Sequence, residues 1–146
     1  MRRLGVLAVV VLMTACGGAE KSAFAGTWAG TKSIAPSSES SVPHMLVGIS
    51  DDGHGALRLN GLAPARVTSA TTFEALPVTF ATIYGPGYMG PGNGTTTVTG
   101  GTGQLTGTNS LSITLDFSEN EAGVVTTYQA TYTLERSTSA DTGTSL

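Results

Sequence analysis

A two-residue alternation of apolar and polar side chains constrains this chain most, and it runs through nearly all of the sequence after Phe24. The clearest stretches are residues 111–117 (LSITLDF) and 128–134 (YQATYTL). Successive side chains of a β-strand point to opposite faces, so this period places the apolar residues of each stretch on one face. The two stretches therefore predict a β-hairpin, joined by the polar residues 118–123.

Shorter alternating stretches predict further strands. Residues 45–49 and 57–59 flank an Asp-Gly turn and predict a second hairpin. The other predicted strands are 66–69, 72–76, 78–83, 95–99 and 104–106, with Pro77 at an edge or bend. No segment after residue 23 has the 3.6-residue apolar period and the caps of a substantial helix. About eight to ten short strands in residues 24–136 predict one all-β domain, an antiparallel up-and-down barrel or alternatively a β-sandwich.

The first residues have the features of an export signal. Met1-Arg2-Arg3 is basic, residues 4–13 are apolar, and small residues precede Cys16. The apolar run is much shorter than the ~20 residues of a membrane-spanning helix. The sequence Leu-Met-Thr-Ala-Cys at 12–16 resembles the lipobox of bacterial lipoproteins, which are cut before the cysteine and acylated on it. The resemblance implies a signal peptide of residues 1–15 and a mature N-terminus at Cys16 that carries acyl chains such as palmitate.

Cys16 is the only cysteine of the chain, so no internal disulfide can form. Several acyl chains on one residue would hold the protein durably at a membrane, because each buried CH₂ contributes ~0.8 kcal/mol. Residues 16–23 are then a short lipidated tether to the cell envelope. Gly17 rather than Asp follows the cysteine, which favours the outer membrane if the host is Gram-negative.

Charge and composition limit the partners. The mature chain would carry five Lys and Arg against ten Asp and Glu, a net charge of −5. Nucleic acids and anionic lipid surfaces need a basic patch, so the sequence predicts no nucleic-acid partner. Only 12% of the residues are charged, whereas Ser and Thr are abundant, so the surface is hydroxylated rather than ionic. Residues 137–146 continue this composition and predict a disordered tail.

Residues 24–31 (FAGTWAGT) resemble the Gly-x-Trp opening of the lipocalin and calycin barrels. In those families the first strand begins at the tryptophan, and an arginine at the end of the last strand packs over it. Arg136 stands in the corresponding place relative to Trp28 in this sequence. The resemblance implies a lipocalin-like barrel in which Trp28 and Arg136 form a structural pair. Such a pair contributes roughly 0.5 to 2 kcal/mol through a cation–π contact.

The motifs that carry catalysis or bind metals are not evident. Residues 85–90 match G-x-G-x-x-G, but no helix follows to receive a pyrophosphate. His44 and His54 are the only histidines, too few for a zinc site. Asp51, Asp52 and His54 crowd one turn, which could hold a weak ion but more commonly is only a turn. The sequence therefore predicts a protein that is not an enzyme and has neither cofactor nor metal.

Two functions remain open. The first is a structural or protein-interaction module of the cell envelope, with a solid core and contacts made by the Thr-rich outer face or by the Gly-Pro loop at residues 84–94. In that loop Tyr84, Tyr88 and Met89 are the candidate contacts with a ligand or partner. The alternative is a lipocalin-like carrier that encloses a small apolar ligand. The predicted interior consists of Trp28, Val47, Leu57, Phe73, Ile113, Leu115 and Tyr132. Bulky residues at nearly every inward position favour a filled interior.

Overall fold

A computed structural model describes residues 22–36, 42–82 and 94–138; for residues 42–44 and 82 only the backbone is described. These ranges form nine β-strands and no helix that is long and apolar enough to cross a membrane. The strands are β1 (Gly26–Ala35), β2 (Val42–Asp51), β3 (Ala56–Leu59), β4 (Ala63–Val67), β5 (Thr72–Ala75), β6 (Val78–Thr82), β7 (Gly94–Leu105), β8 (Ser110–Glu121) and β9 (Val124–Arg136).

The strands form one antiparallel sheet that closes on itself. Its order is β5-β4-β3-β2-β1-β9-β8-β7-β6, and a pairing between β5 and β7 closes eight strands into a barrel. The ninth strand, β6, pairs with the first half of β7, whereas β5 pairs with the second half. The small up-and-down barrel predicted from the sequence is confirmed, with one extra strand.

The predicted hairpins are present, but several predicted strand boundaries are wrong. Residues 118–121, predicted as part of the loop between the last two strands, belong to β8, so only Ala122 and Gly123 connect β8 to β9. Residues 95–99 and 104–106 belong to the single strand β7, which pairs with β8 across an irregularity between Val98 and Gly100. Gly101 permits this because a Cβ there would lie 2.2 Å from the Thr114 carbonyl oxygen. Residues 66–69 are not a strand of their own, because β4 begins at Ala63 and ends at Val67. Backbone N–H groups of Thr68 and Ser69 instead donate to the Thr72 carbonyl and form a turn.

One end of the barrel is closed and completely apolar inside, and we call it the base. Its inward side chains are each at most 1% exposed: Phe24, Trp28, Val47, Leu57, Phe73, Leu111, Ile113 and Leu134. Phe24 covers the end, and its ring meets the Phe73 ring edge-on with centroids 5.1 Å apart. Burial of each large apolar side chain contributes about 1.5 to 3 kcal/mol, so the base is the main source of stability.

The opposite part of the barrel has a different interior. Strands β3, β4 and β5 have four, five and four residues, so they close the wall only around the base. Strands β7, β8 and β9 have 12, 12 and 13 residues and continue beyond it. Inward-facing residues above the base define what we call the upper interior: Lys32, Ile34, Met45, Phe80, Val98, Leu115, Phe117, Glu119, Tyr128 and Ala130. Of these, Val98, Leu115 and Ala130 are fully buried. Tyr132 lies at the boundary between the two parts.

Candidate functional site

The structure brings Trp28 and Arg136 together at the base. The two residues are partners in the β1–β9 register, and the Arg136 Cζ atom lies 4.3 Å from the centroid of the indole. The guanidinium donates hydrogen bonds to the carbonyl oxygens of Ala23 and Ala25, the latter at 2.9 Å. The indole Nε1 donates to the Phe24 carbonyl at 2.8 Å. This pair therefore fastens the segment that precedes β1 against the closed end.

A second set of hydrogen bonds fastens the same segment. The backbone N–H of Ser22 donates to Asp51 Oδ2 at 2.7 Å, and that of Gly53 donates to Oδ1 at 2.6 Å. The Ser22 side chain, the Gly53 amide and the Ser22 amide hold the pKa of Asp51 below its usual value, because they favour its charged form. Residues 22–26 are thus held at the base from two sides.

The Asp51–His54 turn uses its carboxylates for the backbone. Asp52 Oδ1 accepts hydrogen bonds from the N–H groups of His54 and Ala56 at 2.7 and 3.0 Å. Within the ranges that the structure describes, no group of three or more His, Cys, Asp or Glu residues could hold a metal ion. The geometry of this turn is that of a hairpin connection, and the side chain of His44 is outside the description.

The upper interior contains polar groups that face inward. Lys32 lies on the face of β1 that also carries Trp28, and its Nζ atom is 5.8 Å from the centroid of the Tyr132 ring. Tyr132 is 0% exposed, and its hydroxyl has no hydrogen-bond partner among the described residues. Burial raises the pKa of Tyr132, because the phenolate would lose its hydration. The Lys32 ammonium thus lies near the ring of a buried tyrosine whose hydroxyl has no partner among the described residues.

An aromatic pair stands above Tyr132. The rings of Phe117 and Tyr128 stack with centroids 5.0 Å apart and an interplanar angle of 8°. The Tyr128 hydroxyl donates to Glu119 Oε1 at 3.0 Å. Burial, this hydrogen bond and the negative charge of Glu119 raise the pKa of Tyr128 from 10.0 to about 12. Phe117 and Tyr128 give the upper interior an apolar wall with one polar edge.

The wall beside the upper interior has an opening. Strand β6 has β7 as its partner, and its other edge faces the β3–β4 turn. A groove of about 350 Å³ lies between them and is lined by Arg58, Asn60–Pro64, Val78 and Phe80. Phe80 remains 39% exposed although it lies on the inward face of β6. Val78 and Phe80 thus form the β6 side of an open groove.

The outer face of the barrel wall carries mainly hydroxyl and amide side chains. One row across four strands is Thr31, Thr133, Ser112 and Gln104, and the next is Ser33, Thr131, Thr114 and Thr102. A shallow groove of about 680 Å³ crosses β5, β7, β8 and β9 on this surface. The charged side chains that line this groove have partners. Glu74 forms an ion pair with Arg66 at 3.1 Å, and Asp116 accepts a hydrogen bond from Gln129 at 2.8 Å.

The structure describes only some of the site residues that the sequence predicts. Cys16, the signal peptide and most of the predicted tether lie outside the described residues, as do Tyr84, Tyr88, Met89 and residues 139–146. The seven residues assigned to the interior are all buried. Sequence analysis missed Lys32 and treated Tyr132 as a core residue alone. The signal was present in the period of β1, which places Lys32 two residues before Ile34 on the face of Trp28.

Comparison with known proteins adds no family. No family model, curated protein or solved structure matches the chain.

Proposed function

We propose that this protein is a lipid-anchored module of the bacterial cell envelope that acts by binding a partner and does not catalyse a reaction. The sequence at 12–16 supports acylation of Cys16. The single observation that carries the proposal further is the attachment of residues 22–26 to the base by Arg136 and Asp51. This attachment determines which end of the barrel would face the membrane.

The position of the tether gives the barrel an orientation. Cys16 precedes Ser22 by six residues, which can span at most ~20 Å. A lipid on Cys16 would therefore keep the base near the bilayer, and the upper interior and its opening would face away from it. The hydroxylated outer wall would stand beside the membrane, with few charges to attract anionic headgroups. An envelope protein is the partner class that this surface favours, because hydroxyl and amide groups hydrogen-bond without the cost of removing charges from water.

The filled base also bears on the alternative, a carrier for a small apolar ligand. Side chains occupy the interior between Phe24 and Tyr132, so a ligand deep inside the barrel is not favoured. Support for a carrier comes only from the upper interior, where polar and partly exposed residues replace the apolar core.

Metabolic labelling with an alkyne fatty acid, followed by membrane fractionation, tests the anchor. We expect wild-type protein to be labelled and membrane-bound, and the Cys16→Ser variant to lose both the label and the membrane. Gly17→Asp is the matched control, because it keeps the cysteine and, in a Gram-negative host, should shift the labelled protein to the inner membrane. Continued labelling and membrane attachment of Cys16→Ser would refute the proposed anchor.

A further inference from the structure

Strand β6 borders a gap in the wall of the barrel. At the base, β3 and β4 lie between β2 and β5 and complete the wall. Because β2 pairs with β3 only through residues 49–51, its residues 42–47 have no partner on the side away from β1 among the described residues. Above the β3–β4 turn, the described part of the chain therefore leaves two strand positions of ~4.8 Å each open between β2 and β6.

The free edge of β6 has little protection against pairing with another strand. Natural proteins protect such edges with charged side chains, proline or a bulge, because the unpaired N–H and C=O groups can bind any other strand. The five residues of β6 are Val-Thr-Phe-Ala-Thr, which include neither charge nor proline, and they pair with β7 without a bulge. Shortness is their one protective feature. Across the gap, the edge of β2 contains Pro43, which has no N–H to donate. Of the two edges, β6 is the better one for another strand.

The side chains beside this edge determine which face of an added strand must be apolar. The groove of about 350 Å³ along β6 is lined by Leu62, Val78 and Phe80, and none of the three is fully buried. An added strand would cover them with every second side chain. Its other side chains would continue the hydroxylated outer face, where Thr79 already bonds to Thr97 through their hydroxyls at 2.9 Å. The added strand should thus alternate apolar and hydroxyl residues.

Arg58 adds a requirement for charge. It lines the same groove, is exposed on β3 and has no ion pair among the residues that the structure describes. The other residues that line the groove, Asn60–Pro64, Val78 and Phe80, include no carboxylate. A carboxylate on the polar face of the added strand would therefore complement this guanidinium.

We propose that β6 binds an extended segment of another envelope protein, which pairs with its free edge as an antiparallel strand. In this segment apolar residues alternate with hydroxyl residues, and one polar position near Arg58 is Asp or Glu. This inference rests on the proposed function, because it names the partner class and the docking surface of the anchored module.

A second copy of this chain fits the edge less well. Strand β6 contains no acidic residue that could meet Arg58 of the other copy. Antiparallel pairing of two β6 strands would also turn the two bases in opposite directions. Short tethers in one membrane would require both bases to face the same bilayer.

A short synthetic peptide with the proposed pattern tests the edge of β6. Valine and threonine alternate in it, and aspartate replaces one threonine. We expect the peptide to bind the full-length chain in detergent, measured by fluorescence anisotropy, and to slow hydrogen exchange of the β6 amides but not of β8 and β9. Methylation of alternate backbone nitrogens should abolish binding for one of the two alternate sets and spare it for the other, because an added strand pairs through one edge.

Variants of the groove test the side-chain contacts. Arg58→Glu should weaken binding of the aspartate peptide about fivefold, the upper range for an exposed ion pair, and should favour a peptide with lysine at that position. Arg66→Glu is the matched control, since Arg66 is exposed on β4 outside the groove and should leave binding unchanged. Phe80→Ser should weaken binding about tenfold, whereas Val125→Ser, at another exposed apolar residue, should not.

Thermal unfolding of each variant reports whether the barrel has folded. No binding of the aspartate peptide, equal binding of the lysine peptide, or full binding of both methylated peptides would overturn the proposal. It would also be overturned if the β6 amides exchanged as slowly as those of β8 before any peptide was added, because the edge would then already be covered by this chain or by a second copy. All variants keep Cys16 and the assay needs no membrane, so failure here leaves the proposed lipid anchor untouched, and failure of the anchor leaves this assay readable.

Discussion

The base and the upper interior of the same barrel are built on different principles. In the base, eight inward side chains from Phe24 to Leu134 are apolar and at most 1% exposed. In the upper interior, Lys32, Glu119 and Tyr128 share the inner face with apolar residues, and Phe80 is 39% exposed. A core that already provides the stability leaves the rest of the interior free to carry polar groups. We infer that the base contributes more to the stability of the fold than the upper interior does.

The strand lengths explain how one sheet produces both regions. Eight strands surround the base, because the short strands β3 to β5 complete the wall there. Above the β3–β4 turn the long strands β7, β8 and β9 continue, with β6 added at the edge. The wall at that level is incomplete beside β6, which exposes inward positions to solvent. Polar residues at those positions cost less than they would in the base.

The largest expected difference between the two regions is the cost of deleting an aromatic side chain. Trp28→Ala in the base should lower the free energy of unfolding by about 3 to 5 kcal/mol, because it removes a fully buried indole and leaves a cavity. Tyr128→Ala in the upper interior should cost clearly less, because Tyr128 is only partly buried. Chemical denaturation followed by circular dichroism measures both. Equal losses would contradict the division of the barrel into two regions.

A second prediction concerns the packing of the base. A Cβ on Gly103 would lie 2.0 Å from Cζ of Phe73, so Gly103→Ala should displace that ring from the core. We expect a loss of about 1 to 3 kcal/mol, the usual cost of overfilling a packed interior. Gly107→Ala is the matched control, since its Cβ would lie 3.6 Å from Ser110 Oγ, an ordinary contact. A tolerated Gly103→Ala would mean that the base is loosely packed.

The sequence predicted the base better than the upper interior. Alternation in residues 111–117 and 128–134 was sufficient to place strands β8 and β9 and their inward residues. One error came from treating glycine as the end of a strand, since Gly100 and Gly101 lie within β7. Another was the start of β4, which begins at Ala63 and not at Arg66. Lys32 was missed because apolar residues alone were taken to mark the inner face. Which strands stop at the base depends on pairing between β5 and β7, which no local pattern reveals.

A smaller effect is the titration of Tyr128. Its pKa is raised from 10.0 to about 12 in the folded protein by burial and by Glu119. The folded state therefore holds this proton more tightly than the unfolded state, so the contribution to stability is complete below pH 10 and is lost as the pH rises through about 12. Ultraviolet titration of wild type and Tyr128→Phe isolates this phenol. Glu119→Gln should move its pKa back toward 10, and an unchanged titration would show that Glu119 does not contribute.

The most direct test of the boundary between the two regions is the stability of Tyr132→Phe. The substitution keeps the buried ring and removes only the hydroxyl that has no partner. Its removal should leave the free energy of unfolding within about 0.5 kcal/mol of wild type or raise it, because no internal hydrogen bond is broken. A loss of about 1 kcal/mol or more would show that the hydroxyl bonds within the protein. In that case Tyr132 belongs to the base, and the account of the upper interior is wrong.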